Sequence, residues 1–285
     1  MRPRIIHFLT DLFDSHYVNY FVPTASIIYI TALSAVAWLF IHRCKSSGLP
    51  KNVARGAILV GILAAIVGAR LFYLLQHFDN TLQHPELILR FSGGTASWGA
   101  YLGGVTAFLL YLRKAKTHRL NYLDVLGSVF GIGPFIGRWA CFLNGCCYGT
   151  PTNLPWGIQF PQNSFAYNAH LREGLINSAD TLSLSVHPVQ IYGSILAIII
   201  FFITSYFWKK YSKFPGLTFL FYWLIYGVLR FFNEFFRGDV PRYTDLHLTH
   251  SQIIIIFIIS GACLGITYLF KVKRNGLNRT YNFKR

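Results

Sequence analysis

The sequence predicts an all-α, polytopic membrane protein of about seven transmembrane helices, with its N-terminus outside the cytoplasm and its C-terminus inside. Three observations predict it. Hydrophobic residues make up 53% of the 285 positions and charged residues only 13%, against ~25% charge in an ordinary soluble domain. Several apolar runs approach or exceed the ~20 residues that a helix needs to cross a bilayer. The lysines and arginines, which give a formal charge of +16, gather in alternate short loops, as basic cytoplasmic loops do. A nucleic-acid binder would instead present one continuous basic face, so nucleic acid is excluded as a partner.

Residues 1 to about 19 form a polar leader. Asp11 and Asp14 interrupt its early apolar run and no small-residue cleavage site follows, so it does not read as a cleaved signal peptide. The first span runs near Tyr20 to His42. The second runs near Ala54 to Gln76 and carries Gly68-Ala69-Arg70-Leu71-Phe72-Tyr73. The third runs near Thr95 to Leu112 and carries Trp98-Gly99-Ala100-Tyr101-Leu102-Gly103-Gly104. The fourth runs near Leu120 to Leu143. A long polar loop, about 145–186, follows. The fifth span starts at His187 and ends near Trp208, the sixth runs from Gly216 to about Phe236, and the seventh covers roughly Ser251 to Phe270. Without an internal repeat, linker or low-complexity tract, residues 1–285 read as a single integral membrane domain.

Basic residues orient these spans. Arg43, Lys45, Lys51 and Arg55 follow span one. Arg113, Lys114, Lys116 and Arg119 follow span three, and Lys209, Lys210 and Lys213 follow span five. Lys271, Lys273 and Arg274 open the basic tail. The loops between are nearly neutral, so the basic loops and the C-terminus are cytoplasmic. At 1.5 Å per helical residue, Arg70 then lies ~24 Å along span two, Arg138 ~27 Å along span four and Arg230 ~21 Å along span six. Trp98 and His187 begin spans that descend from the outer side. Five features on five spans share one depth.

The densest stretch is Gly137-Arg138-Trp139-Ala140-Cys141-Phe142-Leu143-Asn144-Gly145-Cys146-Cys147-Tyr148-Gly149. A guanidinium at membrane depth costs several kcal/mol unless it meets an anion or water, so Arg138 marks a candidate site. The alternative is an arginine snorkelling from a helix end. In span six, Arg230, Glu234 and Arg237 stand four and three residues apart, on one helix face. Glu234 can pair with either arginine, as a structural ion pair or as part of an anion site whose surplus guanidinium holds phosphate.

His187-Pro188-Val189-Gln190-Ile191-Tyr192 opens span five. Pro188 suits a first helical turn, and His187 is either a helix-entry residue or a base near the site. Gly99, Gly103 and Gly104 give span three a thin face suited to close helix packing, the favoured reading, or to admitting an acyl chain. Asp124 reads as structural. The five cysteines contain no CxxC pair and no nearby histidine to complete a ligand set. No metal or cofactor is therefore expected, and a disulfide within the clustered three stays open.

Together these segments resemble the prolipoprotein diacylglyceryl transferase family. The resemblance rests on GRWACFLNGCCYG at 137–149, PWGIQFP at 155–161, HPVQIY at 187–192 and YGVLRFFNEFFRGD at 226–239, with GARLFY at 68–73 in support. It implies an enzyme of the bacterial inner membrane with its site toward the periplasm. That enzyme moves the diacylglyceryl group of phosphatidylglycerol to the lipobox cysteine of a preprolipoprotein signal peptide, and glycerol phosphate leaves. By motif match Arg138, Asn144, Gly149, Arg230 and Glu234 fall on family functional or signature positions.

The expected catalytic set is Arg138, Arg230, Glu234 and His187. The expected substrate contacts are Arg70, Asn144, Gly149, Arg237, Gln190, Tyr192, Trp98 and Gly99. Three departures stand out: Trp98-Gly99-Ala100 replaces a His-Gly-Gly, Cys141 replaces an asparagine, and Gly193 replaces a glutamate. A span-one tyrosine has no secure counterpart; Tyr29 lies nearby, its register open. The rival reading is a diverged relative, weak or inactive, that binds anionic lipid or peptide without turnover. Transport is less favoured, since no broken-helix pair or ring of like charges is evident.

Overall fold

A computed structural model describes residues 17–85, 96–211, 214–243 and 247–274. Among them every extended element is a helix and none is a strand. The helices are α1 (Tyr17–Ser46), α2 (Lys51–Gln76), α3 (Phe78–Gln83), α4 (Ser97–Lys114), α5 (Arg119–Val129), α6 (Ile132–Asn144), α7 (Phe165–Arg172), α8 (Val189–Tyr211), α9 (Leu217–Asn233) and α10 (His250–Arg274). A 3₁₀ turn, Glu234–Phe236, continues α9. The expected leader falls almost entirely outside the described residues.

Four helices are long and apolar enough to cross a membrane: Ala25–Ser46 of α1, α2, α8 and His250–Lys271 of α10. A fifth span is formed if α5 and α6, bent by 42°, count as one. The outward faces of these helices are apolar, with Ile30, Trp38, Leu63, Leu75, Phe257 and Leu264 all more than 50% exposed; they suit lipid rather than water. The expected single fourth span is thus corrected to two helices. Gly131 sits at the break because a side chain there would run into Ala197 O and Phe201 of α8. Pro134, in the first turn of α6, lacks only an N–H that a helix start leaves unpaired. Helix α9 has 17 residues, ~26 Å at 1.5 Å each, a little short of the ~30 Å hydrocarbon core.

Close contacts gather into two compact units. Among the described residues one unit lies within 37–126, and the other combines 17–36 with those from 127 to 274. In the first, α2 and α4 pack antiparallel through small residues. Gly68 faces Gly99, Ala64 faces Gly103 and Gly61 faces Gly104, so closely that a Cβ on Gly68 or Gly99 would overlap the other's carbonyl. The glycines of span three therefore do what close helix packing asks of them. Phe40 meets Phe108 edge-on at 5.6 Å, and Tyr122 donates to Pro50 O at 3.3 Å.

In the second unit, α6 and α8 run antiparallel, and their contacts step along both helices. Gly131 abuts Ala197, Arg138 abuts Gly193, and Ser194 Oγ donates to Phe135 O at 2.8 Å. Helix α1 lies along α6, with Tyr29 against Gly137 and Val36 against Gly133. The small residues of the α6 stretch are what allow helices to approach on both sides. Helix α10 seats Ile255 and Ile259 against Gly227 of α9.

The loop between α6 and α8 has its own small core of Phe142, Tyr148, Phe160, Ala166 and Val186. Ser164 caps α7 by accepting from Tyr167 N. Ile158 and Val186 exchange both backbone hydrogen bonds. His170, 3% exposed, accepts from Leu184 N at 3.3 Å through Nδ1 and meets Tyr148 edge-on. Burial holds this imidazole below its ordinary value of 6.5, against a smaller opposing pull from Glu173. A group whose folded pKa is depressed stabilises the fold above its unfolded pKa, and that contribution fades as pH falls through the folded value. The loop should therefore resist limited proteolysis at neutral pH and be cut faster as pH drops below about 6.5. His170→Gln, which keeps an acceptor for Leu184 N–H, should flatten that profile; equal slopes for the two proteins would clear His170 of the role.

Candidate active site

The α6 stretch ends in a tight reversal. Gly145 takes the left-handed conformation, φ 64° and ψ 16°. Cys146 N donates back to Cys141 O at 3.2 Å and Gly145 N to Phe142 O at 3.1 Å. These paired bonds define a Schellman motif, which places the residue after the glycine over the last turn of the helix. Here that residue is Cys146 and the one beneath it is Cys141. Cys147, also left-handed at φ 57°, turns the third side chain inward. The three sulfurs lie within 4.8 Å of one another, and all three cysteines are free and half-buried. Linear spacing does not display this grouping, which comes from the turn. Gln190, fully buried, pins the turn by donating to Cys146 O at 2.8 Å.

Arg138 lies one turn earlier on α6. Its guanidinium fits beside Gly193, where a Cβ would stand 3.1 Å from Nε. It interacts electrostatically with Cys147, Cys141 and Tyr226 and is repelled by Arg237. Among the described residues it has no carboxylate partner. A glutamate at 193 would have supplied one; glycine leaves the charge open.

Arg230 Nη2 meets Glu234 Oε2 at 2.6 Å. Glu234 is fully buried, and its other oxygen accepts from Thr249 Oγ1 at 3.2 Å. Arg237 stands 3.8 Å from Glu234 Oε2, yet its closer partner is Asp239, which it grips through Nε and Nη2 at 2.7 Å each. The carboxylate of span six therefore serves Arg230 first, and Asp239 supplies Arg237. Arg230 Nη1 is buried without a hydrogen-bond acceptor among the described residues, and Arg230 is repelled by both Arg138 and Arg237. Three guanidiniums thus gather around two carboxylates, with one buried N–H unmet. Such a place attracts an anion.

Gly149 joins two parts of this site. It bridges to Arg237, and its N–H donates to His187 O at 3.1 Å. A side chain at Gly149 would collide with His187 and Val189. His187 Nδ1 faces Tyr192 OH at 3.2 Å, and Trp156 Nε1 donates to the same hydroxyl at 2.8 Å. Asn144, the last residue of α6, is half-buried. Arg138, Arg230, Glu234, Arg237, His187, Gln190, Tyr192, Asn144 and Gly149 all belong to one unit. Arg70, Trp98 and Gly99 belong to the other. There Arg70 is 4% exposed and stands over the Tyr73 ring at 5.4 Å, Trp98 tilts against Tyr101 at 6.0 Å, and Gly99 is spent on the α2–α4 seam.

Sequence reasoning left the register of Tyr29 open and passed over Asn233, Thr249 and Gln252. Tyr29 OH lies 3.4 Å from Cys141 Sγ, so it does reach the α6 stretch. Asn233, 4% exposed, has both amide atoms buried without a partner among the described residues. Thr249 and Gln252 form a capping box at the start of α10: Gln252 N donates to Thr249 Oγ1 at 3.2 Å, and Thr249 N to Gln252 Oε1 at 2.9 Å. The Thr-x-x-Gln pattern was the available signal.

An apolar helical bundle holding a buried surplus of guanidinium defines the class: a helical membrane protein with buried charge. Comparison with known proteins gives the family. The family model described as prolipoprotein diacylglyceryl transferase matches residues 19–268. The phosphatidylglycerol–prolipoprotein diacylglyceryl transferase of Clostridium tetani is 34% identical over 250 residues, 87% of this chain and 92% of that protein. Enzyme 2 of that name from Clostridium perfringens is 31% identical over 227 residues, 79% and 82% of the two chains. The Finegoldia magna enzyme is 31% identical over 230 residues, 80% and 84%. The chain belongs to the prolipoprotein diacylglyceryl transferase family.

Removing one partner from a buried ion pair strands the other charge, at a cost of about 3–5 kcal/mol. Losing a cap costs about 0.5–2 kcal/mol. Glu234→Ala should therefore lower the unfolding midpoint in detergent more than Thr249→Val does. The reverse order would show that the carboxylate is not the anchor of this corner.

Proposed function

We propose that this chain transfers the diacylglyceryl group of phosphatidylglycerol to the thiol of a lipobox cysteine in a preprolipoprotein signal peptide. It does so as one integral domain of seven spans in the bacterial inner membrane, with the N-terminus and the site on the periplasmic side. The observation that carries this reading is the group Arg138, Arg230 and Arg237 around Glu234 and Asp239, in a chain whose family model runs from residue 19 to residue 268. The alternating basic loops support the orientation.

The acceptor sulfur must be a thiolate to attack. It displaces the phosphate from the glyceryl carbon, so a C–S bond forms as a C–O bond breaks. The leaving glycerol phosphate gains a negative charge, and catalysis needs positive charge waiting where it develops. Arg138, lacking a carboxylate, and Arg230, with its unmet Nη1, supply it. Glu234 orients Arg230, while Arg237, Asn144, Gly149 and Gln190 shape the phosphate end. Arg70 and Trp98 keep the lipid role expected of them, and Gly99, taken up by the α2–α4 seam, supports it through packing. His187 acts as base if its Nδ1–H donates to Tyr192, because Nε2 is then the free acceptor.

Purified protein given phosphatidylglycerol and a lipobox peptide should add a diacylglyceryl mass to the peptide cysteine. Arg138→Ala and Arg230→Ala should each abolish that gain. Arg→Lys should rescue poorly, since an ammonium lacks the bidentate fork; full activity in either alanine variant would remove that residue from the phosphate role. His187→Ala should slow transfer by ~10²–10⁴, and the deficit should narrow at high pH, where the thiol ionises unaided.

For topology, reporters fused at Lys116 and Lys210 should read cytoplasm and one at Asn168 periplasm. A cytoplasmic reading at Asn168 would put the site on the wrong face. Trp98-Gly99-Ala100, with no histidine, favours a second reading in which lipid is bound without turnover; an unmodified peptide beside retained lipid would be its mark.

A further inference from the structure

We propose that Cys141, Cys146 and Cys147 form a three-thiolate site for a soft divalent cation such as Zn(II). Its open fourth position takes the acceptor sulfur of the substrate peptide. The second half of this proposal rests on the transferase reading; the first half does not.

The geometry comes first. Zinc–sulfur bonds are about 2.3 Å, so three sulfurs on one ion stand about 4 Å apart. The three sulfurs here already lie within 4.8 Å of one another. Their grouping is built by backbone. The Schellman turn brings Cys146 over Cys141, the left-handed Cys147 completes the triangle, and Gln190 locks the Cys146 carbonyl. A left-handed backbone is costly for a residue with a side chain, and here the arrangement aims a thiol.

Charge comes second. Three thiolates around a divalent cation leave one net negative charge. Arg138 interacts with Cys147 and Cys141, and Arg237 with Cys147, so the balancing cations are already adjacent. Coordination number comes third. Among the described residues the cluster holds three donors and no fourth cysteine, histidine or carboxylate. Structural zinc sites close with four protein ligands, whereas three ligands with one open position mark a site that handles substrate. The thiols are half-buried, so an incoming sulfur has a way in.

The chemistry suits the reaction. A thiol that coordinates such an ion loses its proton outright, here to His187, the base of the proposed reaction. The bound thiolate then attacks the glyceryl carbon. The C–S bond forms, the C–O bond to phosphorus breaks, and the electron pair leaves on the oxygen of glycerol phosphate beside Arg138. No oxidation or reduction occurs. The thioether product is a poorer ligand than a thiolate and departs.

The test uses full-length protein in detergent, reduced and stripped with chelator, then titrated with cadmium chloride. The thiolate-to-cadmium charge-transfer absorption should saturate at one ion per chain. Cys141→Ser, Cys146→Ser and Cys147→Ser should each weaken binding by at least about 100-fold, at or beyond the upper end of what an outer-shell loss costs a metal site. Cys263→Ser should leave it unchanged, and Arg230→Ala should keep the band while losing transfer. Should the serine variants fail to fold, zinc protection of Cys141, Cys146 and Cys147 of the intact protein from maleimide labelling decides instead. A lipobox peptide added to the cadmium-loaded protein should deepen the band, and its Cys→Ser counterpart should not. No band and no protection in the reduced protein would overturn the metal site, whatever the transfer assay gives. A band indifferent to the peptide would overturn the open position. A band in a protein that transfers nothing would sink the transferase reading and leave the cation site standing.

Discussion

A carboxylate with no access to water governs this structure. Glu234 is fully buried at the end of α9, where an unpaired negative charge would be far too costly to keep. It survives because Arg230 meets one oxygen and Thr249 the other, with Arg237 close by. Each partner brings a further piece of the fold with it. Arg230 extends the pair back along α9. Thr249 caps α10 and so fixes where that helix begins. Arg237, held by Asp239, carries the strand-like bridge to Gly149, and Gly149 reaches His187 at the mouth of α8. One buried charge thereby sets the positions of three helix ends and of the loop that joins them.

Much of this was legible in the sequence, and the parts that were not share a cause. The long apolar helices announced themselves by composition, and Arg138, Arg230 and Glu234 by being charged where charge is expensive. The break between α5 and α6 was missed because hydropathy measures what a side chain dislikes and is blind to how the backbone bends. The cue was present in Gly131-Ile132-Gly133-Pro134, which marks a helix restart. The partners of Arg237 were half legible for a similar reason: Glu234 does stand 3.8 Å away, but the closer Asp239 was not named. Helical spacing put Glu234 on its face, but the helix ends at Asn233, and beyond that point Asp239 is within easier reach. The seam of α2 and α4 was read correctly because glycines at helical spacing have few other uses in an apolar segment.

The thiol cluster shows the limit most clearly. Metal-ligand patterns are recognised in sequence by fixed spacings on regular elements. Cys141 and Cys146 are five residues apart, a spacing that would set them on different faces of a continuous helix. They meet only because Gly145 ends the helix in a left-handed turn that folds the chain back on itself. The asparagine–glycine pair at 144–145 signals that reversal, but its consequence for the sulfurs depends on the turn type and on Gln190 holding it. Spacing rules fail wherever a helix cap, rather than a helix, does the gathering.

The site also has to reconcile two anions. A phosphate diester and a thiolate repel each other, and bringing both to one place in an apolar bundle would be prohibitive without compensation. At 4 Å two unit charges interact by about 4 kcal/mol even at an effective dielectric of 20. In the proposed reaction Arg138 answers both demands: its guanidinium interacts with the sulfurs and repels Arg230, whose Nη1 is buried without an acceptor among the described residues. Gly193 keeps it unpaired by offering space where an acidic side chain would have neutralised it. On the proposed reading the surplus charge on α6 is kept for the reacting anions instead of being consumed by the fold. The mutual repulsion of the arginines is then a source of affinity: an anion arriving between them relieves it, and the relief is greatest when the negative charge peaks on the departing phosphate.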